Sequence, residues 1–178
     1  MSLIYVAKRG SFDEFMKEYD PSIAAAFRSG GETLLFFSVA NRDVDARVAI
    51  TMRLLDDGAD PSVVSNGINV LHILFSPNKK HDAQLEAPML RRLIEGGADI
   101  NQVSKKWGPP LLGLIENGPL DENAAVPFYD VIFDQPNLNL SATRGEGQFT
   151  LWDYIFGDLW NLPILRERTM AYEEAHHG

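Results

Sequence analysis

Apolar residues in this chain come in short bursts at helical spacing, separated by polar connections and glycine-marked turns. The clearest burst opens at Asn69, where Val70, Leu71, Leu74 and Phe75 fall on one face of a helix. A polar stretch follows, and then a second apolar run ends in Arg91-Arg92-Leu93-Ile94 before Gly96-Gly97. One unit earlier the same order runs from Thr33 to Met52-Arg53-Leu54-Leu55 and Gly58. Thr33 and Asn69 are N-cap types, because a short side-chain oxygen can take up a free amide of the first turn. Pro110 suits a first turn, where its missing N–H costs nothing. Gly58 and Gly97 fall where a left-handed turn closes a helix and glycine carries no Cβ penalty. The pattern predicts an all-α chain of antiparallel helix pairs, with outward segments such as Ala98 to Gly108 between them.

Two markers advance along the chain together. Asp57-Gly58-Ala59-Asp60-Pro61 recurs as Gly96-Gly97-Ala98-Asp99-Ile100, 39 residues on. Weaker copies are Tyr19-Asp20-Pro21-Ser22 and Asp134-Gln135-Pro136-Asn137-Leu138-Asn139. Downstream of each lies a second frame: Gly31-Glu32-Thr33-Leu34-Leu35, Gly67-Ile68-Asn69-Val70-Leu71, Gly108-Pro109-Pro110-Leu111-Leu112 and Gly147-Gln148-Phe149-Thr150-Leu151. Its glycines step by 36, 41 and 39 residues, the mark of a repeated supersecondary unit.

The Gly-x-Thr-x-Leu frame, Leu71-His72 and the two Gly-Ala-Asp turns resemble the ankyrin repeat. The resemblance implies a solenoid of stacked antiparallel helix pairs with outward β-hairpin-like loops, in a single domain over 1–178. Its parts would be an N-terminal cap (3–27), central repeats (28–64, 65–104 and 105–143) and a C-terminal cap (144–178). Gly31, Thr33, Gly58, Asp60, Gly67, His72, Gly97, Asp99, Gly108 and Gly147 take structural repeat positions, with His72 hydrogen-bonding between neighbouring loops. The units exceed the usual length of about 33 residues. The surplus falls at Asn41–Ala46, Ser76–Pro88 and Asn117–Pro127, with Pro88 and Pro127 starting second helices. One helix pair cannot bury its apolar face alone, so each unit leans on its neighbours and the end units keep a wet face. Lys8, Arg9, Asp13, Glu14, Lys17 and Glu18 at one end, and Glu167, Arg168, Glu173 and Glu174 at the other, supply it.

Composition narrows the function classes. Sixteen Lys and Arg against 25 Asp and Glu give a net charge of −9, which repels nucleic acid and anionic membranes and attracts a basic protein. There are no cysteines, so disulfides, thiolate metal sites and cysteine nucleophiles fall away. Met1 to Arg9 lacks the apolar core of a signal peptide, and the apolar stretch from Thr33 to Ala40 is far short of the roughly 20 residues that span a bilayer. A cytoplasmic chain is expected.

Candidate chemistry is sparse. No pair of histidines has the helical spacing of a zinc site; His81 sits in a lysine-rich loop, and Asp56-Asp57 reads as a solvated helix end. The paired glycines lack the Lys-Ser/Thr of a phosphate loop, and no signature joins Ser, His and Asp into a nucleophile system. No catalysis, cofactor or metal is expected. The resemblance instead implies partner binding through the concave face and the loop tips Ser65, Asn66, Lys105, Lys106, Trp107, Arg144 and Glu146. Tryptophan is enriched among residues that dominate binding energy; the Trp107 ring either anchors a partner or folds back on its neighbour. Phe37, Ile73 and Leu114 share one frame position and read as packing between units. Trp152, Tyr154, Phe156 and Trp160 read as closing the end of the core. The expected function is a non-enzymatic protein-interaction module, monomeric or weakly oligomeric. An immunity protein held against a basic toxin is its most specific form, and a self-associating structural or regulatory subunit is the alternative.

Overall fold

The computed structural model of the chain describes residues 1–147 and 149–177. Gln148, inside the fourth glycine frame, and Gly178, the last residue of the expected C-terminal cap, lie outside the described residues. Among the described residues the structure is helical, and extended pairing is limited to isolated bridges. The helices are α1 (Leu3–Arg9), α2 (Phe12–Glu18), α3 (Leu34–Ser38), α4 (Val44–Asp56), α5 (Val70–Leu74), α6 (Ala83–Glu95), α7 (Pro110–Asn117), α8 (Val126–Phe133), α9 (Leu151–Phe156) and α10 (Pro163–His177).

They form two rows. In the first, α1 packs on α3, α3 on α5, α5 on α7 and α7 on α9; in the second, α2 packs on α4, α4 on α6, α6 on α8 and α8 on α10. The core lies between the rows. Leu34, Leu35, Val70, Leu71, Leu74, Leu111 and Leu112 enter it from the first row; Ile50, Leu54, Met89, Leu90, Leu93, Phe128 and Ile132 enter from the second. First-row helices are too short to hold themselves in water, so their stability comes from these contacts.

The repeated turns have a local cause. At the end of α4 the Gly58 amide donates to Leu55 and the Ala59 amide to Leu54. At the end of α6 the Gly97 amide donates to Ile94 and the Ala98 amide to Leu93. Both are Schellman closures, with the glycines at φ +93° and +116°. The following Asp60 and Asp99 each turn the chain by accepting the backbone amide two residues on, from Ser62 and Asn101. Asp20 and Asn139 do the same for Ser22 and Ser141. The outward segments then reverse through one bridge each, at Ser29–Glu32, Ser65–Ile68, Ser104–Gly108 and Thr143–Thr150. In the first two the central residues Gly30-Gly31 and Asn66-Gly67 all have positive φ, the geometry of a two-residue hairpin turn.

Several expectations are corrected. Pro88 does not start a helix: Asp82 caps α6 and Pro88 is its sixth residue, exposed on the outer face. Pro127 does lie in the first turn of α8, behind a 3₁₀ turn at Glu122–Ala125. Thr33 stands at the N-cap of α3 but its hydroxyl makes no cap bond. Asn69 does cap, accepting from Leu71 and His72. Asp56 and Asp57 are paired rather than merely solvated, with Arg92 and Arg53 at 2.8 and 2.7 Å. The C-terminal end is closed by Leu151, Ile155, Leu165 and Tyr172, with Tyr154, Phe156 and Trp160 packed half-buried against the core, while Trp152 is 36% exposed and leaves the closing set.

A Cβ added at Gly58 meets nothing within 4 Å, whereas one at Gly97 stands 2.9 Å from the Ser62 Cβ. Gly58→Ala should therefore cost about 1–2 kcal/mol for its left-handed backbone alone. Gly97→Ala should cost more, read as the larger drop in urea midpoint.

Candidate binding groove

One edge of the stack is built where the first-row helices end. α1 turns into α2 at Gly10, α3 into α4 through Val39–Asp43, and α5 into α6 through Phe75–Asp82. These connections are tied by a buried polar network. The Asn41 amide donates to the carbonyls of Ala7 and Gly10 at 3.1 and 3.0 Å. Arg47, wholly buried on α4, donates to the carbonyls of Asn41 and Lys80 at 2.6 Å each and to Glu86 at 2.7 Å. Glu86, wholly buried on α6, also accepts the Asp82 amide at 2.8 Å and His81 Nδ1 at 3.0 Å. The His81 side chain is enclosed and packs against Phe75 and Phe128.

Arg47 and Glu86 were invisible to a reading that assigns charges to solvent. A signal existed. The two are 39 residues apart, the repeat step, so they occupy equivalent places on the buried stripes Arg47-Ile50-Leu54 and Glu86-Met89-Leu93. Opposite charges at equivalent core positions of adjacent units predict a pair between them.

On this frame lies a cavity of about 540 Å³ lined by Lys8, Arg9, Arg42 and Lys79, with Asp43 as its single carboxylate. Asp43 is already engaged, accepting the Ala46 amide at the start of α4. Lys79 is half-buried and donates to the Ile73 carbonyl at 2.7 Å. Burial, then Arg47, pushes its pKa down to about 8, and Arg42 and Lys8 push the same way. Asn78 beside it holds a left-handed conformation at φ +69°.

A second hollow, of about 300 Å³, continues along the first row and shares Ser76 and Pro77 with the first. Its walls include Trp107, Lys106, Pro109, Gly113, Glu116 and Arg144. Trp107 as a whole residue is 36% exposed, and Lys106 Nζ lies 4.8 Å from the centroid of its ring. Arg144 is paired with Glu116 across two units. Of the expected tip residues, the structure thus gathers Lys106, Trp107 and Arg144 at one hollow. Asn66, Lys105 and Glu146 are exposed elsewhere on the turns. Ser65 is buried, 3.4 Å from the Gly30 carbonyl, and is removed from the surface set. Phe37 and Ile73 are half-buried on the first row, and Leu114 is buried.

His72 reaches from one turn to the next. Its Nδ1 lies 3.0 Å from the Asn69 amide, which can only donate, so Nε2 carries the proton to the Gly108 carbonyl at 2.9 Å. Among the described residues no three or more His, Asp or Glu side chains are grouped to hold a metal ion, and no helix is long and apolar enough to cross a membrane. The groove offers cations, an indole and a proline-lined wall: groups suited to recognition.

Removing Arg47 leaves Glu86 buried without its counter-charge. Arg47→Met should cost about 3–5 kcal/mol in urea unfolding, and adding Glu86→Leu should recover most of that loss. His72 gives a pH dependence. Burial lowers its pKa below the ordinary value near 6.5, so the unfolded chain takes up the proton first. Its contribution is complete above pH 6.5 and is lost as the pH falls toward the folded-state value. As the pH falls below the ordinary histidine range near 6.5, wild type should lose urea midpoint more steeply than His72→Gln.

No family model and no curated protein matches the chain. Among solved structures it is similar to a functionally unknown protein from Leptotrichia buccalis C-1013-b, with a TM-score of 0.77 and 22% identity over 99% of this chain and 95% of that one. At that identity the likeness speaks for the fold alone.

Proposed function

We propose that this chain is an ankyrin-type repeat module that binds a protein partner along its first-row groove and catalyses no reaction. The repeat reading is supported by the two-row stacking, the paired Schellman turns, the single-bridge hairpins and the inter-unit His72 bond. The binding reading rests on one observation above the others: Trp107 is held half out of the surface by its turn, beside Lys106 and over an open hollow. An indole so placed offers a large contact area at little entropic cost on binding.

A basic toxin, which the whole-chain charge favours, would be repelled by this groove. It would have to take the outer helices instead, where Asp13, Glu14, Asp45, Glu95, Glu167 and Glu173 lie. The groove's own charge favours an acidic partner.

The experiment is affinity capture from the source organism's lysate with the native chain and with a Trp107→Ala, Lys106→Ala double variant. A single partner captured by the native chain and lost in the variant is expected. Truncating a tryptophan anchor typically costs about 2 kcal/mol or more, enough to empty the resin. A partner retained by both chains moves the site off this groove.

A further inference from the structure

We infer that the cavity at Lys8, Arg9, Arg42 and Lys79 receives the carboxylates of an acidic, extended segment of the partner, whose apolar side chain reaches the hollow beside Trp107. The inference rests on the binding-module reading and adds the partner's chemistry to it.

Charge is the first argument. A chain of net charge −9 places four cations around one cavity, against one carboxylate that is already capping a helix. Among the described residues Lys8, Arg9 and Arg42 make no ion pair, while Arg53, Arg91, Arg92 and Arg168 all do. Like charges repel one another: burial and then Arg47 lower the Lys79 pKa most, Glu86 acts against them, and Arg42 and Lys8 add the smallest contributions to the lowering. An entering anion would relieve it.

Rigidity is the second. The cavity walls are the last residues of α1 and the α3–α4 and α5–α6 connections, whose backbone Asn41, Arg47 and Glu86 bind together from below, so the frame that carries the cations is set before any ligand arrives. Less ordering is then lost on binding.

The geometry of the helix ends separates the ligand classes. Around this cavity α1, α3 and α5 end, and the helix that begins beside it, α4, has its first turn already capped by Asp43. A compact phosphate would find that cradle of backbone N–H groups already taken by the Asp43 carboxylate. Carboxylates spread along a chain need none, because each can meet one Lys or Arg. The Trp107 hollow adjoins this cavity, with Ser76 and Pro77 lining both, so such a chain could lie across two neighbouring cavities of about 540 and 300 Å³.

The test uses the full chain and a fluorescein-labelled peptide of about ten residues, rich in Asp and Glu around a single Leu, read by anisotropy. Its Asn/Gln counterpart and inorganic tripolyphosphate serve as the other probes. The acidic peptide should bind the native chain and weaken about tenfold or more in a Lys8→Glu, Arg42→Glu variant. Its affinity should also fall between about 50 and 200 mM salt. Circular dichroism melts show that the variant is folded; both positions are exposed. Equal binding of the neutral peptide, or undiminished binding to the charge-reversed variant, overturns the assignment. Tighter binding of tripolyphosphate than of the peptide overturns it in favour of a compact phosphate. No peptide binding, with a lysate partner still lost in the Trp107 variant, overturns the partner's chemistry and leaves the module standing.

Discussion

Arg47 and Glu86 meet at 2.7 Å with neither side chain exposed, and the connections of three successive helix pairs hang on that contact. Two ions taken from water lose several kcal/mol of hydration each, and their attraction restores it only when every remaining donor and acceptor is met. Here the guanidinium meets two backbone carbonyls besides the carboxylate, and the carboxylate meets an amide and His81 besides the guanidinium. The pair therefore contributes less through its own energy than through what it forbids. Any slip of α6 along α4 would strand a charge in the core. Hydrophobic contacts alone would resist such a slip less, because an apolar side chain moved by a turn still finds apolar neighbours.

The long connections between paired helices acquire a purpose from this constraint. Asn41 and Lys80 offer their carbonyls to Arg47 only because the α3–α4 and α5–α6 segments are long enough to reach inward. Having reached in, they turn Arg42 and Lys79 toward one cavity. The electrostatics of the surface are thus local. The chain as a whole carries a net charge of −9, while four cations and one helix-capping carboxylate line the first-row cavity. Net charge describes the far field that a partner meets first; the groove decides what fits on contact.

Legibility followed the range of the interaction. Gly58 and Gly97, the turns at Asp60 and Asp99, and the Asn69 cap were all readable, because each is settled within six residues by backbone sterics or a single hydrogen bond. Thr33 looked like the same kind of cap yet leaves its hydroxyl unbonded. Pro88 looked like a helix start, since proline favours a first turn; Asp82 caps six residues earlier and the helix runs through the proline on its wet side. Ser65 looked like a loop tip beside Asn66, but the bridge to Ile68 turns it under the neighbouring turn.

By itself the sequence determined the helix pairs, the repeat step and the closing glycines, since these depend on spacing and on conformations open to few residue types. It also held the equivalence of positions 47 and 86, although nothing in one dimension says that two charges will leave water together. Only the tertiary structure decided that they do, that Trp107 stays half exposed, and that four cations share a cavity in an acidic chain. Those outcomes join residues some 30 to 70 positions apart. Their cause is the stacking of one unit on the next, which sets distances that no local spacing contains.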